Sequence, residues 1–228
     1  MVRIFLFFYT KESSTLCDIQ TNQENRSMGL LIDGKWHKQG YDTKASYGNF
    51  IREETKFRHW IHAKENITTQ ELFLAEKNRY HLFISLACPW AHRTLIFRTL
   101  KSLDDIIGIT IVEPIMLDDG WQFNTSTDDN PVKNIKSLHQ LYSKADPHYN
   151  GRVTVPVLWD KKHNTIVNNE SSDIIRIFNQ AFNAITNNHD DYYPIALRKE
   201  IDIINACIYE KVNNGVYRAG FATTQTAY

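Results

Sequence analysis

Three observations in the 228-residue sequence predict an α/β fold. Short apolar runs alternate with helical patterns in the order βαβα and then ββα, a strand meets a helix at Cys88-Pro89, and the Val155-Pro156 step opens a later strand. Residues 80–86 form an apolar run of the length of a buried strand. Ala87, Cys88 and Pro89 follow, and then Leu95, Ile96, Thr99, Leu100 and Leu103 at helical spacing. Pro89 falls in the first helical turn, where a missing N–H costs nothing. Residues 106–115 read as a second strand, ended by Pro114 and followed by the polar, glycine-broken stretch 118–129. Pro131 can open a helix that runs to Ser143. Residues 151–160 and 164–169 are β-rich runs on either side of a short turn and read as an antiparallel hairpin. After Glu170, Ser171, Ser172 and Asp173, the residues Ile174, Ile175, Ile177, Phe178, Ala181 and Phe182 share a helical face. That order is thioredoxin-like, and it spans residues 79–186.

The flanks differ in kind. Residues 28–78 carry glycines that interrupt any period among many aromatics, which reads as an extended N-terminal arm packed over a core. Residues 187–228 begin a second, all-helical domain: Pro194 can start a helix with Ile201, Ile204 and Ile208 at i, i+3 and i+7. A segment of this length makes at most about two helices and buries no core of its own, so the expectation is an incomplete, truncated domain. Residues 1–27 form an N-terminal extension to which the pattern assigns no element.

Composition excludes several classes of function. The 26 basic and 26 acidic side chains cancel, which leaves no electrostatic footprint for nucleic acid. No apolar run approaches the roughly 18 residues that cross a bilayer, so no membrane partner is expected. The run 1–9 is short for a secretory signal. Three cysteines, Cys17, Cys88 and Cys207, have neither zinc-ligand spacing nor an even count for disulfides, and His37, His59, His62, His139 and His148 show no metal-ligand spacing. The reading is a reducing compartment, the cytoplasm, and no metal.

The chemistry centres on Cys88. At a helix N-terminus, unpaired amides and the positive end of the helix dipole favour a thiolate, so a lowered pKa is expected. Alanine, not cysteine, occupies the fourth position of Cys88-Pro89-Trp90-Ala91. A disulfide on Cys88 therefore has no resolving thiol on its own helix and needs one from solution, for which glutathione is the abundant candidate. A site for that anionic tripeptide can be assembled. If Pro156 is cis, the Val155 backbone can pair with a peptide, and Glu170 and Ser171 at a helix start can hold an ammonium and a carboxylate; the plain alternatives are a trans edge proline and an ordinary N-cap. His92, one turn along, is as much a surface candidate as an assistant to Cys88, and Cys207, on the face of Ile204 and Ile208, reads as core.

The element Arg79-Tyr80-His81-Leu82 leading to Ala87-Cys88-Pro89-Trp90-Ala91-His92-Arg93-Thr94 resembles the signature of the glutathionyl-hydroquinone reductases, the Xi class of glutathione transferases. The likeness continues through the blocks at 57–61, 120–123, 151–160, 169–171 and 215–222. It implies a thioredoxin-like domain followed by the start of a glutathione-transferase helical domain, with dimerisation when full length. It implies that Cys88 is the catalytic thiolate, that Trp121, Arg152, Val155, Glu170 and Ser171 bind glutathione, and that Tyr217 reaches a glutathionyl-hydroquinone substrate. Asn78 departs from the family's glycine, an exchange that asparagine's tolerance of left-handed backbone permits. Two rival functions share the same residues: an Omega-like thiol transferase or dehydroascorbate reductase, and a non-catalytic glutathione-transferase-like binding module.

Overall fold

The computed structural model describes residues 29–64, 73–124 and 130–228. Cys17 and the apolar start of the chain lie outside them. Two hairpin strands open the described chain, β1 (Leu30–Ile32) and β2 (Lys35–His37), joined through Asp33 and Gly34, both at positive φ. That backbone suits the tight turn of a two-residue hairpin. A Cβ on Gly34 would fall 1.9 Å from the Pro147 carbonyl oxygen, so only glycine fits there.

The central strand is β3 (Tyr80–Ile84), whose five residues are all buried. Burial on both faces explains its mostly apolar character, which His81 alone interrupts. β4 (Gly108–Ile111) runs parallel to it, with Leu82 opposite Ile109, and β6 (Val157–Asp160) runs antiparallel, with Leu82 opposite Leu158. β7 (Thr165–Asn168) completes the order β4-β3-β6-β7. The parallel crossover is α1 (Pro89–Leu100), which packs against α3 (Ser171–Gln180). α2 (Leu138–Ala145) packs on β7 and against β1. Its start is a reciprocal cap between Ser137 and Gln140, and Leu138, Leu141 and Tyr142 bury its inner face. Leu82, Phe83, Trp159, Ile177, Phe178 and Phe182, all buried, belong to the core around this sheet. The thioredoxin-like sheet and helices are thus as the sequence predicts, and Asn78 takes φ 61°, the left-handed value expected of it.

Four expectations need correction. The strand expected at 106–115 is only Gly108–Ile111, and the helix expected from Pro131 begins at Leu138. The run 151–160 is divided: β5 (Gly151–Arg152) leaves the central sheet and pairs with β1, making a second sheet of order β2-β1-β5. The break falls at the Val155–Pro156 bond, which is cis. The arm is not wholly irregular, because β1 and β2 lie within it; beyond β2 it runs over the core, with Phe57 against Tyr142 and Tyr149.

After the short helix α4 (Asn183–Thr186), a 3-10 turn (Ile195–Leu197) leads into α5 (Arg198–Ile208), a π-helical turn (Tyr209–Asn213) and α6 (Gly215–Phe221). This segment meets the arm through Thr43–Thr223 and Arg52–Asn214 hydrogen bonds and through Tyr41 and Phe50 against Phe221. Cys207 is exposed, not core, along with Ile204 and Ile208 on its face. No residue of α5 is buried, so the face that the period marks as apolar is uncovered among the described residues.

Candidate active site

Cys88 is the residue immediately before α1, in extended conformation, and it is half-buried. The Cys88 side chain takes no capping hydrogen bond from the first turn of α1, and its thiol donates to the Val155 carbonyl oxygen at 3.6 Å. Burial pushes the Cys88 thiol above its ordinary pKa, against the opposing pull of the Ala91 and Trp90 amides and of the Arg52 charge. The lowered pKa expected from the helix terminus is therefore overturned for this chain: the amides act as predicted, and desolvation outweighs them.

Glu170 stands at the start of α3. Its carboxylate accepts from the Ser172 amide at 3.0 Å and from the Ser172 hydroxyl at 3.1 Å. It is an N-cap and a charged group of the site at once. The Ser171 hydroxyl oxygen accepts from Arg93 Nε and Nη2 at 3.0 and 2.7 Å, and Arg93 Nη2 lies 3.5 Å from Glu170. Arg58 grips Asp173 through two nitrogens, one at 2.9 Å. Arg93 thereby joins α1 to α3, and Arg58 joins the arm to α3, through charge-assisted contacts.

The remaining predicted residues come from four other segments. Trp121 follows Gly120, at positive φ, and is buried. Arg152 on β5 donates to the carbonyls of Gln39 and Gly40 at 2.5 and 2.6 Å and lies 4.4 Å over the Tyr41 ring. Val155 precedes the cis Pro156. Tyr217 on α6 accepts a 2.8 Å hydrogen bond from the Trp90 indole nitrogen. One cavity of about 560 Å³ is lined by all seven predicted residues: Cys88, Trp121, Arg152, Val155, Glu170, Ser171 and Tyr217. Its size suits a small-molecule ligand. Charged and hydroxyl groups of α1 and α3 line it together with the rings of Trp90, Tyr209 and Tyr217.

Sequence reasoning missed Arg52, Arg93 and the lining role of Trp90. Trp90 and Arg93 stand two and five positions after Cys88, so their place in the first turns of α1 was a usable signal. Arg52 lies in the arm, where no period marks a side chain. His92 is exposed and is not among the residues that line the cavity. Among the described residues no group of three His, Cys, Asp or Glu side chains could hold a metal ion, and no helix is long and apolar enough to cross a membrane.

A thioredoxin-like sheet with a cysteine at its first strand–helix junction and a cis-proline facing that cysteine's loop defines the class of thioredoxin-like thiol proteins. The family profile described as "Glutathione S-transferase, N-terminal domain" matches residues 87–181. The glutathionyl-hydroquinone reductase YqjG of Escherichia coli (strain K12) is 56% identical over 207 residues, covering 88% of this chain and 63% of that protein. Its glutathione-bound structure matches with a TM-score of 0.74, covering 88% of this chain and 61% of that one at 51% identity. The glutathionyl-hydroquinone reductase PcpF of Sphingobium chlorophenolicum is 50% identical over 203 residues, 88% of this chain and 62% of that one. The Xi glutathione S-transferase of Phanerochaete chrysosporium matches with a TM-score of 0.74 at 48% identity, covering 84% of this chain and 60% of that one. Residues 87–181 thus carry a glutathione S-transferase N-terminal domain, and the chain is similar over more than four fifths of its length to glutathione transferases of the Xi class. It spans 63% and 62% of the lengths of the two curated reductases.

Proposed function

We propose that the protein is a glutathione-dependent reductase that removes glutathione from glutathionyl-hydroquinones. In this reading Glu170, Ser171, Val155, Trp121 and Arg152 hold the tripeptide, and Tyr217 meets the aromatic group. Cys88 loses its proton and the thiolate attacks the glutathione sulfur. An S–S bond forms, the carbon–sulfur bond breaks, and the electron pair leaves with the aromatic carbon, which takes up a proton and becomes free hydroquinone. A glutathione thiolate then attacks the Cys88–glutathione disulfide, giving oxidised glutathione and returning Cys88. The sum is one glutathionyl-hydroquinone and one glutathione converted to hydroquinone and oxidised glutathione. The reading extends to the cytoplasm, where glutathione is reduced, and to a homodimer of the whole protein.

One observation carries this reading. The sulfur shares its cavity with charged and hydroxyl side chains and with the rings of Trp90, Tyr209 and Tyr217, and Ala91 stands where an internal resolving thiol would be. The raised pKa of Cys88 is the observation that favours the rival binding module. Turnover of glutathionyl-menadione by the whole protein, with glutathione as the second substrate, tests the proposal. Steady release of menadiol is expected; activity on dehydroascorbate alone would favour the Omega-like rival, and no turnover of either would favour the binding module.

A further inference from the structure

Arg52 reaches the cavity from the arm, far from Cys88 in sequence. Its Nε donates to the Asn214 side-chain oxygen at 2.6 Å, and its guanidinium carbon lies 4.3 Å over the ring of Tyr217, 5.2 Å over that of Trp90 and 5.4 Å over that of Phe50. Its Nη2 is shut off from solvent and has no hydrogen-bond partner among the described residues. The other cations of the cavity have different company. Arg58 is bound to Asp173, Arg93 to Ser171 beside Glu170, Arg176 lies near Asp202, and Arg152 is held by carbonyls. The carboxylates Glu53 and Glu54 line the cavity but are exposed.

Neutral partners fix a guanidinium without cancelling its charge. An amide oxygen and three aromatic faces do that for Arg52, and a buried N–H left without an acceptor is costly unless an anion completes it. Arg52 lines the same cavity as the Cys88 sulfur and lies over Trp90, two residues along α1 from it; the sulfur itself has the Trp90 and Ala91 amides of the first turn on one side and the Val155 carbonyl on the other. The carbonyl is repulsive to an anion, and two amides do not offset burial.

We propose that Arg52 is a positioning residue for the reaction at Cys88: held by Asn214, Tyr217 and Trp90, its guanidinium is the counter-charge that accompanies the sulfur when it becomes a thiolate. The inference rests on the proposed function only in taking Cys88 as the nucleophile. It also gives the arm a part in the chemistry.

The test is the rate of alkylation of Cys88 by iodoacetamide, a neutral reagent, measured as a function of pH in the whole protein, with the modified peptide identified so that Cys17 and Cys207 do not contribute. Arg52→Met keeps the packing of the side-chain stem and removes the charge. Its midpoint is expected to rise by about one pH unit, a roughly tenfold smaller thiolate fraction at neutral pH. Arg52→Lys should recover part of that shift, because the charge returns without the fork geometry. A folded Arg52→Met with the wild-type midpoint overturns the proposal. Should Arg52→Met not fold, Arg52→Lys and Asn214→Ala, which keep a cation but displace it, must each raise the midpoint by a smaller amount; unchanged midpoints in both would equally overturn it. Failure of the wild type to turn over glutathionyl-menadione would defeat the proposed function instead, and leaves the alkylation readout intact.

Discussion

The two ends of β3 set burial against compensating charge and reach opposite results. At its start, Arg79 reaches both oxygens of the fully buried Asp160 at 3.0 and 2.6 Å and Glu76 at 2.8 Å, and His163 lies 2.8 Å from the same Asp160. Burial raises the Asp160 pKa, but Arg79, the Lys162 amide and His163 outweigh it, and the carboxyl is held below its ordinary value. Past its other end, Cys88 is offered two amides and one guanidinium, and burial prevails. A bidentate ion pair can carry a charge into a core; a helix terminus alone does not. The first end is closed on itself and serves stability, while the second keeps unmet capacity beside a cavity, as functional sites do.

Substitutions at the two ends should therefore separate activity from stability. Cys88→Ser is expected to lower turnover of glutathionyl-menadione by about a thousandfold or more, with an unchanged thermal midpoint. Retained turnover would remove the sulfur from the reaction. Asp160→Asn takes the buried, bidentate carboxylate from Arg79, leaving it Glu76, and should cost about 3 kcal/mol in denaturant unfolding. The alkylation rate of Cys88 in that variant should stay at the wild-type value, and a change there would mean that the two ends are coupled. Ser171→Ala removes the acceptor between Arg93 and Glu170, and KM for glutathione should rise about tenfold with little loss of stability.

The smallest effect concerns His81, inside β3 itself. Burial, assisted by the charges of Lys161 and Arg98, lowers its pKa from 6.5 to about 4. Between those values the unfolded chain binds a proton that the folded chain refuses. Stability from this group is thus complete above about pH 6.5 and declines as pH falls toward 4, by at most about 1.4 kcal/mol per pH unit. Thermal melts between pH 7 and 5 should show that slope, and His81→Asn should flatten it.

What the sequence made legible is what local rules govern. The junction at Cys88-Pro89, the cis bond before Pro156, the left-handed Asn78 and the cap at Glu170 each depend on a few neighbouring residues. The separation of β5 from β6 was hidden because a β-rich run shows no preference for one sheet over another, and β5 chose β1, more than a hundred residues away. Cys207 was misread because a period shows which face of a helix is apolar and not whether anything covers it. The Cys88 pKa was misjudged because a helix terminus can be seen in a sequence, whereas the depth at which the sulfur lies cannot. Arg52 escaped for a similar reason: its contacts to Asn214 and Tyr217 join the arm to α6 and leave no trace in either segment.

The hydrogen bond from Trp90 to Tyr217 has a polarity of its own. An indole nitrogen can only give a hydrogen, so the phenol oxygen receives on that side and its own hydrogen is left to turn elsewhere. The link between α1 and α6 therefore works as a one-way latch: it fixes the phenol oxygen as the receiver on the Trp90 side, and a replacement such as Trp90→Phe would leave that hydroxyl free to face either way.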